Sequence, residues 1–191
     1  MNGLFLSPEE KKRSKGRPYR IAIVLAIVLF LVVAPEVQSG NSMDPTIKDG
    51  QVLVVSKMTH YSSKRKAPET GKLVILDKQY SLDAGAEDNI ITRVAAVPGD
   101  TISAKDGKFY VNNEEYETDG FITGTTVSFK ERKLKGNQVY VLCDNRDEAS
   151  AKYDSRNPKL GSNGLVDMRK IKGNVLLRVW PLRNFGLMTN K

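Results

Sequence analysis

The chain has 191 residues, enough for one domain and a short appendage, and its 40% hydrophobic and 27% charged residues are not the composition of a disordered protein. Half of the net charge of +8 lies in residues 1–20, and no zinc-finger spacing or basic stripe with interleaved aromatic residues follows, which argues against a nucleic-acid partner. The single cysteine, Cys143, excludes an intrachain disulfide and the single histidine, His60, excludes a histidine-rich metal site, so we expect no metal and no cofactor.

The first predicted elements are a basic tail and a membrane anchor. Residues 21–34 form an unbroken apolar run of 14 residues. As a helix this run is about 21 Å long, short of the roughly 20 residues of a typical span, and it also fits a cleavable signal peptide or a buried core helix. We expect a cytoplasmic tail at 1–20, a retained transmembrane anchor at 21–37 in the cell membrane, and an extracytoplasmic domain at 38–191.

Beyond the anchor, the chain is built from short segments that are rich in β-branched residues and bounded by turn residues. In chain order these segments are 51–56, 72–76, 90–97, 101–104, 108–111, 138–142 and 174–180. The pattern predicts a mainly β domain. The stretch 105–137 is more polar and contains turn signals such as Asp106-Gly107, which predict a β-ribbon inserted into that domain.

Residues 40–46, with the sequence GNSMDPT, are the first segment with a chemical pattern. A serine beside a glycine, on a loop fixed by Pro45, can serve as a nucleophile because the glycine lets a substrate approach closely. The turn can also aim a backbone N–H at a developing oxyanion. On its own, a Gly-Asn-Ser sequence is more often an ordinary loop.

Two further segments follow. Residues 92–100 read as a strand that ends in a Pro-Gly turn, which taken alone is an ordinary core strand. Residues 143–156 contain two Asp/Arg pairs with serine hydroxyls between them, and charge-assisted hydrogen bonds can hold such a loop together. Taken alone, this segment is also compatible with a solvated polar loop.

In this order and behind an N-terminal anchor, the three segments resemble the type I signal peptidase family of Ser/Lys proteases. The family boxes are Ser-Met-x-Pro-Thr, at 42–46; Lys-Arg-Val followed by Pro-Gly-Asp, at 92–100; and Gly-Asp-Asn-Arg followed by Ser-x-Asp-Ser-Arg, at 143–156. The resemblance covers roughly residues 20–186, and the RVWPL sequence at 178–182 is similar to Gram-positive members. It implies a signal-peptidase-type antiparallel β domain.

The resemblance also implies roles for individual residues. Ser42 is the nucleophile, and Thr92 stands at the position of the general-base lysine. The substrate and oxyanion region comprises Gly40, Asn41, Met43 and Pro45. The supporting residues are Arg93, Asp144, Asn145, Arg146, Ser150, Asp154, Ser155 and Arg156.

The chain departs from the family pattern at the position of the catalytic general base. Thr92 replaces the lysine, and a threonine hydroxyl has no useful basicity near neutral pH. Cys143 replaces the glycine of the last box, and three extra residues lie between Arg146 and Asp154. Lys78 and His60 are candidate substitutes for the base, although both lie outside the motif segments.

Two functions therefore remain open. The chain is a signal peptidase that hydrolyses signal peptides of exported proteins through Ser42 with an unrecognised base. Alternatively, it is a non-catalytic, signal-peptidase-like accessory factor that binds secreted, surface-protein or pilus subunits during surface assembly. In both cases we expect signal peptides and membrane lipid as partners.

Overall fold

The structure is a computed structural model that describes residues 8–57, 66–83, 85, 89–116 and 126–188. The described chain is mainly β, with strands arranged in two antiparallel sheets. This agrees with the fold class predicted from the short β-branched segments.

The N-terminal helix α1, Pro8–Val32, leads directly into the first strand, β1, Val33–Val37. No helix in the described ranges is both long and apolar enough to cross a membrane. The sequence analysis placed residues 33–37 in the anchor, but in the structure they pair with a neighbouring strand, so the β domain begins at residue 33. Valines favour a strand here, and Pro35, which has no N–H to donate, is accommodated because β1 lies at the sheet edge.

The larger sheet positions all three sequence segments. Its strand order is β1-β2-β11-β3-β4-β9-β10, with β12 paired to β11. The strands are β2 Val52–Ser56, β3 Leu73–Leu76, β4 Ile91–Ala96, β9 Gln138–Leu142, β10 Val166–Asp167, β11 Ile171–Trp180 and β12 Gly186–Leu187. A short helix, α2 (Lys78–Asp83), follows β3.

The smaller sheet has the order β7-β6-β5-β8 and corresponds to the predicted insertion. Its strands are β5 Thr101–Lys105, β6 Lys108–Val111, β7 Glu114–Glu115 and β8 Phe129–Lys133. The sheet therefore begins at Thr101, a few residues before the predicted start at 105. It packs on the larger sheet through aromatic rings, since Phe109 stacks on Tyr140 of β9 with ring centroids 4.7 Å apart.

The loop that carries Ser42 is anchored in the core. Met43 and Ile47 are fully buried in one apolar cluster with Leu53 of β2 and Ile91 of β4. Burial of a side chain of this size stabilises a fold by about 1.5–3 kcal/mol, so the cluster holds the loop at a fixed place beside the sheet.

The long strand β11 runs tightly against β2 at Gly173. A Cβ atom at this glycine would lie 2.3 Å from the carbonyl oxygen of Ser56 and 2.8 Å from Cγ1 of Val55. The backbone therefore excludes any side chain at this point of the sheet.

We expect Gly173→Ala to lower the free energy of unfolding of the full chain by about 1–3 kcal/mol, because the added methyl group must displace β2. Chemical denaturation measures this change. Gly186→Ala is the matched control, since a Cβ at Gly186 of β12 meets nothing within 4 Å and its stability should change by less than about 0.5 kcal/mol. Equal effects of the two substitutions would contradict the predicted close contact.

Candidate active site

A buried ion pair joins the second and third sequence segments. Nε and Nη2 of Arg93 on β4 donate to the two carboxylate oxygens of Asp144 at 2.8 and 2.6 Å, and Nη1 donates to the Gly71 carbonyl at 2.7 Å. The sequence analysis had grouped Asp144 with Arg146, its near neighbour. In the structure Arg146 instead donates to the Cys143 carbonyl, and Asp144 pairs across the sheet because β4 and β9 are adjacent.

Asn145, the next residue, joins the third segment to the serine loop. Its backbone N–H donates to the Ser42 carbonyl at 3.0 Å, and its side-chain amide donates to the Asn41 carbonyl at 3.1 Å. Arg93, Asp144 and Asn145 therefore connect the strand that carries Thr92 to the loop that carries Ser42. The three segments singled out in the sequence converge in one place.

Ser42 is 7% exposed and receives a hydrogen bond from a residue that the sequence analysis missed. The side-chain amide of Gln38 donates to Ser42 Oγ at 3.4 Å, and also to the carbonyls of Ser39 at 3.0 Å and Gly40 at 3.3 Å. A carbonyl oxygen can only accept a hydrogen bond, so the NH₂ end of the Gln38 amide, rather than its oxygen, must face the loop. Gln38 thus restrains both the loop backbone and the serine hydroxyl.

Other contacts set the shape of the same loop. Gly40 has a positive φ of 76°, a conformation that favours glycine, and its N–H donates to Asp49 Oδ1 at 2.8 Å. Arg178 of β11 donates to the Thr46 carbonyl at 2.8 Å. Pro45 is exposed. Sequence reasoning gave Asp49 and Arg178 no role, because both act on the loop through folding contacts that no local motif encodes.

Thr92 lies at the position where the family pattern has the general-base lysine, but its hydroxyl is not a base. It is fully buried on β4 opposite Val74, and its hydroxyl has no hydrogen-bond partner among the residues that the structure describes. The roles that the resemblance implies for Ser42 and Thr92 require their side chains to lie next to one another, and this stays a prediction. No hydrogen bond joins their two hydroxyls. A threonine at this site cannot accept the proton of the serine.

The lysines that the structure describes do not provide a buried amine in place of the missing one. Among the side chains that the structure describes, no lysine is buried, and Lys78 is exposed at the start of α2. A lysine must be desolvated to lose its proton near neutral pH, and an exposed one is not. His60 lies outside the described residues. The described ranges also contain no group of three His, Cys, Asp or Glu side chains able to hold a metal ion.

The loop after β9 is held by a second ion pair. Asp154 and Arg156 are paired at 2.8 Å, and Asp154 Oδ2 also accepts from the Cys143 N–H at 3.0 Å. Ser155 Oγ accepts from the N–H of Val141 at 2.9 Å. The extra residues before Asp154 are accommodated by a short 3₁₀ helix, Ser150–Tyr153, in which Ser150 is buried.

Cys143 is not a competing nucleophile. The thiol is fully buried, and burial, reinforced by the Asp154 carboxylate, raises its pKa well above the usual value. The reactive form of a cysteine is the thiolate, so this thiol stays neutral and inert at neutral pH.

The chain is similar to proteins of a known family. A family model described as "Signal peptidase, peptidase S26" matches residues 16–180. "Signal peptidase IB" of Staphylococcus aureus is 30% identical over 181 residues, covering 85% of this chain and 86% of that protein. "Probable signal peptidase I-2" of Synechocystis is 28% identical over 186 residues, covering 96% of this chain and 80% of that protein.

Among solved structures, a signal peptidase I from Enterococcus faecalis matches with a TM-score of 0.39 and 17% identity. The match covers 57% of this chain and 97% of that one.

We expect Asp144→Asn to lower the free energy of unfolding by about 3–5 kcal/mol, because the guanidinium of Arg93 would be left buried without its counter-charge. Thermal or denaturant unfolding of the full chain measures this. Glu115→Gln breaks the exposed Lys108–Glu115 pair, formed at a similar 2.8 Å, and should cost less than about 1 kcal/mol. A loss at Asp144 no larger than at Glu115 would show that the buried pair does not hold the site together.

Proposed function

This chain belongs to the signal peptidase S26 family, and we propose that it binds the signal peptides of exported proteins at the Ser42 loop without hydrolysing them by the family's lysine-dependent route. The observation that carries the proposal is Thr92, fully buried at the base position, in a structure where no described lysine side chain is buried.

The contacts that shape the binding site do not involve the missing base. The serine loop is held by Asn145, Gln38 and Arg178, and by burial of Met43. Each of these contacts supports a loop that presents Ser42 and its neighbouring backbone to an extended peptide. Recognition of a signal peptide through this loop therefore needs no lysine.

Hydrolysis is a different matter, because it needs a group that removes the serine proton. Disabling the unit that activates a serine lowers the rate by about 10⁴- to 10⁶-fold in comparable proteases, and the remaining oxyanion stabilisation is worth about 10³- to 10⁴-fold over water. A residual rate of that size would not process exported proteins usefully. Binding of a signal peptide does not need the missing base, whereas hydrolysis at a useful rate does. The function of the chain is therefore binding rather than processing.

A non-catalytic protein of this kind would act as an accessory factor for precursors that carry a signal peptide. Surface-protein and pilus subunits are members of that class, because they are exported. The chain would hold such a precursor through its signal peptide during surface assembly, and release it uncut.

Apolar side chains support a location at the membrane. In α1 the described residues between Ile21 and Leu31 are exposed, and at the other end of the domain Trp180, Leu182, Phe185 and Leu187 are exposed as well. Trp180 pairs with Val52, which pairs with Val37, so this second group lies at the end of the sheet that leads into the Ser42 loop. Contact of the second group with lipid would bring Ser42 close to membrane-bound signal peptides, and contact of the α1 group would hold the chain at the membrane with the basic tail on the cytoplasmic side.

The first test restores the missing base. We expect the wild type to leave a signal-peptide substrate uncut, and Thr92→Lys to cleave it at least about 100-fold faster than wild type, because a desolvated amine can accept the serine proton. Mass spectrometry of the products after incubation with the full chain in detergent measures cleavage. Thr92→Lys combined with Ser42→Ala is the control and should not cleave.

Efficient cleavage by the wild type, lost in Ser42→Ala, would overturn the non-catalytic proposal. Another base would then have to exist, and Lys78→Ala and His60→Ala would identify it. Binding is measured in parallel by fluorescence anisotropy of a labelled signal peptide, which should persist in Ser42→Ala. Absence of binding in the wild type would equally refute the proposal.

The second test concerns location. We expect the intact chain in the membrane fraction of cells, with residues beyond 40 cleaved by protease added from outside. Immunoblotting with tags at each end of the chain distinguishes the two ends. A mature protein that begins near Gly40 and appears in the medium would show that the N-terminal segment is a cleaved signal peptide.

A further inference from the structure

A side-chain hydrogen bond joins β1 to the start of β4. Nδ2 of Asn89, which precedes β4 by two residues, donates to Oε1 of Glu36 on β1 at 2.9 Å. β2, β11 and β3 lie between these strands in the sheet order, and since neighbouring strands are about 4.8 Å apart, a flat sheet would separate β1 from β4 by roughly 19 Å. A glutamate and an asparagine side chain together do not span that distance. The sheet therefore curls, so that β1 faces the start of β4.

The Glu36 carboxylate lies beside the Ser42 loop. Side chains alternate along a strand and the pairing continues to Gln38, so Glu36 and Gln38 share one face of the strand about 7 Å apart. The Gln38 amide reaches Ser42 Oγ. From the other side, Ile91, two residues after Asn89, packs in the apolar cluster that anchors the Ser42 loop. Both connections place the carboxylate next to the residues that a bound peptide would contact.

An open groove of about 510 Å³ runs along this part of β1. Of the described residues, 35–39 and 49–50 line it, and these carry two carboxylates, Glu36 and Asp49, but no basic side chain. Glu36 is half-buried, and no lysine or arginine in the described ranges forms an ion pair with either carboxylate. The groove is therefore negative, although the whole chain has a net charge of +8.

Neutral donors hold the two carboxylates in place without compensating their charge. Asn89 donates to one oxygen of Glu36, and the Gly40 N–H donates to one oxygen of Asp49. An ionised carboxylate has roughly four acceptor sites, so most of them are left for a ligand. A half-buried carboxylate gains most from an opposite charge, and the ammonium of lysine or the guanidinium of arginine supplies both charge and donors.

The strand beside the groove suits an extended ligand. β1 is an edge strand, and an edge strand presents backbone groups to which an extended peptide can pair. In such a peptide every second side chain points to the same face. A peptide with one residue at Ser42 therefore brings the side chain two positions away next to Glu36, while the residue between them points the other way.

We propose that Glu36, aimed by Asn89 and reinforced by Asp49, selects peptides that carry a lysine or arginine two positions from the residue at Ser42. This inference names the substrate class of the proposed binding function and rests on that function. A protein with a net charge of +8 attracts acidic peptides in general, so a preference for a basic residue at one position has to come from the groove.

The affinities of a peptide series for the full chain in detergent test this preference. Single residues along a labelled synthetic signal peptide are replaced in turn by lysine or by norleucine, an uncharged analogue of lysine, and binding is measured by fluorescence anisotropy. We expect lysine to bind at least about 10-fold tighter than norleucine at one position, because the ammonium reaches the Glu36 carboxylate only there. At the positions on either side, whose side chains point to the opposite face, the ratio should stay below about 2-fold.

Substitutions identify the carboxylate that is responsible. Glu36→Gln keeps an acceptor for Asn89 but removes the charge, and it should reduce the lysine-to-norleucine ratio to below about 2-fold. Glu131→Gln is the matched control, since it removes an exposed carboxylate from β8 of the smaller sheet and should leave the ratio unchanged. Asn89→Ala lets the Glu36 carboxylate turn away and should lower the ratio at least about 3-fold. An unchanged ratio in Asn89→Ala would contradict its positioning role.

The outcomes separate this inference from the function on which it rests. A lysine preference of equal size at every position would show general attraction and would overturn the inference, as would a preference that survives Glu36→Gln. Binding of the norleucine peptides without any lysine preference would refute the inference and leave the proposed function standing. If the wild type binds no peptide of the series, the proposed function fails and the inference fails with it.

Discussion

The buried pair of Arg93 and Asp144 is the interaction on which the site depends. Both side chains are almost wholly removed from water, and such a pair is tolerated only when the charged groups find enough hydrogen bonds. Here the guanidinium donates two hydrogen bonds to the carboxylate, and its Nη1 nitrogen donates a third to the Gly71 carbonyl. Because Arg93 follows Thr92 and Asp144 precedes Asn145, the pair fixes the position of Thr92 and of the residue that holds the Ser42 loop.

The buried pair of Asp154 and Arg156 has a corresponding role further along the chain. It holds the backbone at Cys143 and, through Arg156, the carbonyl of Arg146. Both ends of the intervening segment are therefore fixed, and the inserted residues between them form a 3₁₀ helix without disturbing either end. A loop that is held at its ends by charge-assisted bonds can change in length while the residues on its flanks stay in place.

Local patterns in the sequence were sufficient to predict most of the strands and to identify the segments that meet at the site. Runs of β-branched residues between turn residues report strands directly, so segments such as 51–56 and 138–142 correspond to β2 and β9. β1 was missed because its valines continue the apolar run of α1. Neither the partner of Asp144 nor the role of Gln38 could be predicted, because each contact depends on which strands lie side by side or on how a loop folds back on itself.

The hydrogen bonds and apolar contacts that hold the Ser42 loop in place do not involve a general base. Gln38 donates to Ser42 Oγ, which occupies a lone pair of the hydroxyl and leaves its proton available to an acceptor. In the described chain that acceptor is not a buried lysine, and Thr92 carries a buried hydroxyl that has no hydrogen-bond partner among the described residues. An unpaired buried hydroxyl costs about 1–3 kcal/mol, so Thr92 is not explained by stability. What the described contacts hold in place is the serine loop itself, through Gln38, Asn145 and Arg178, and none of these contacts depends on the residue at position 92.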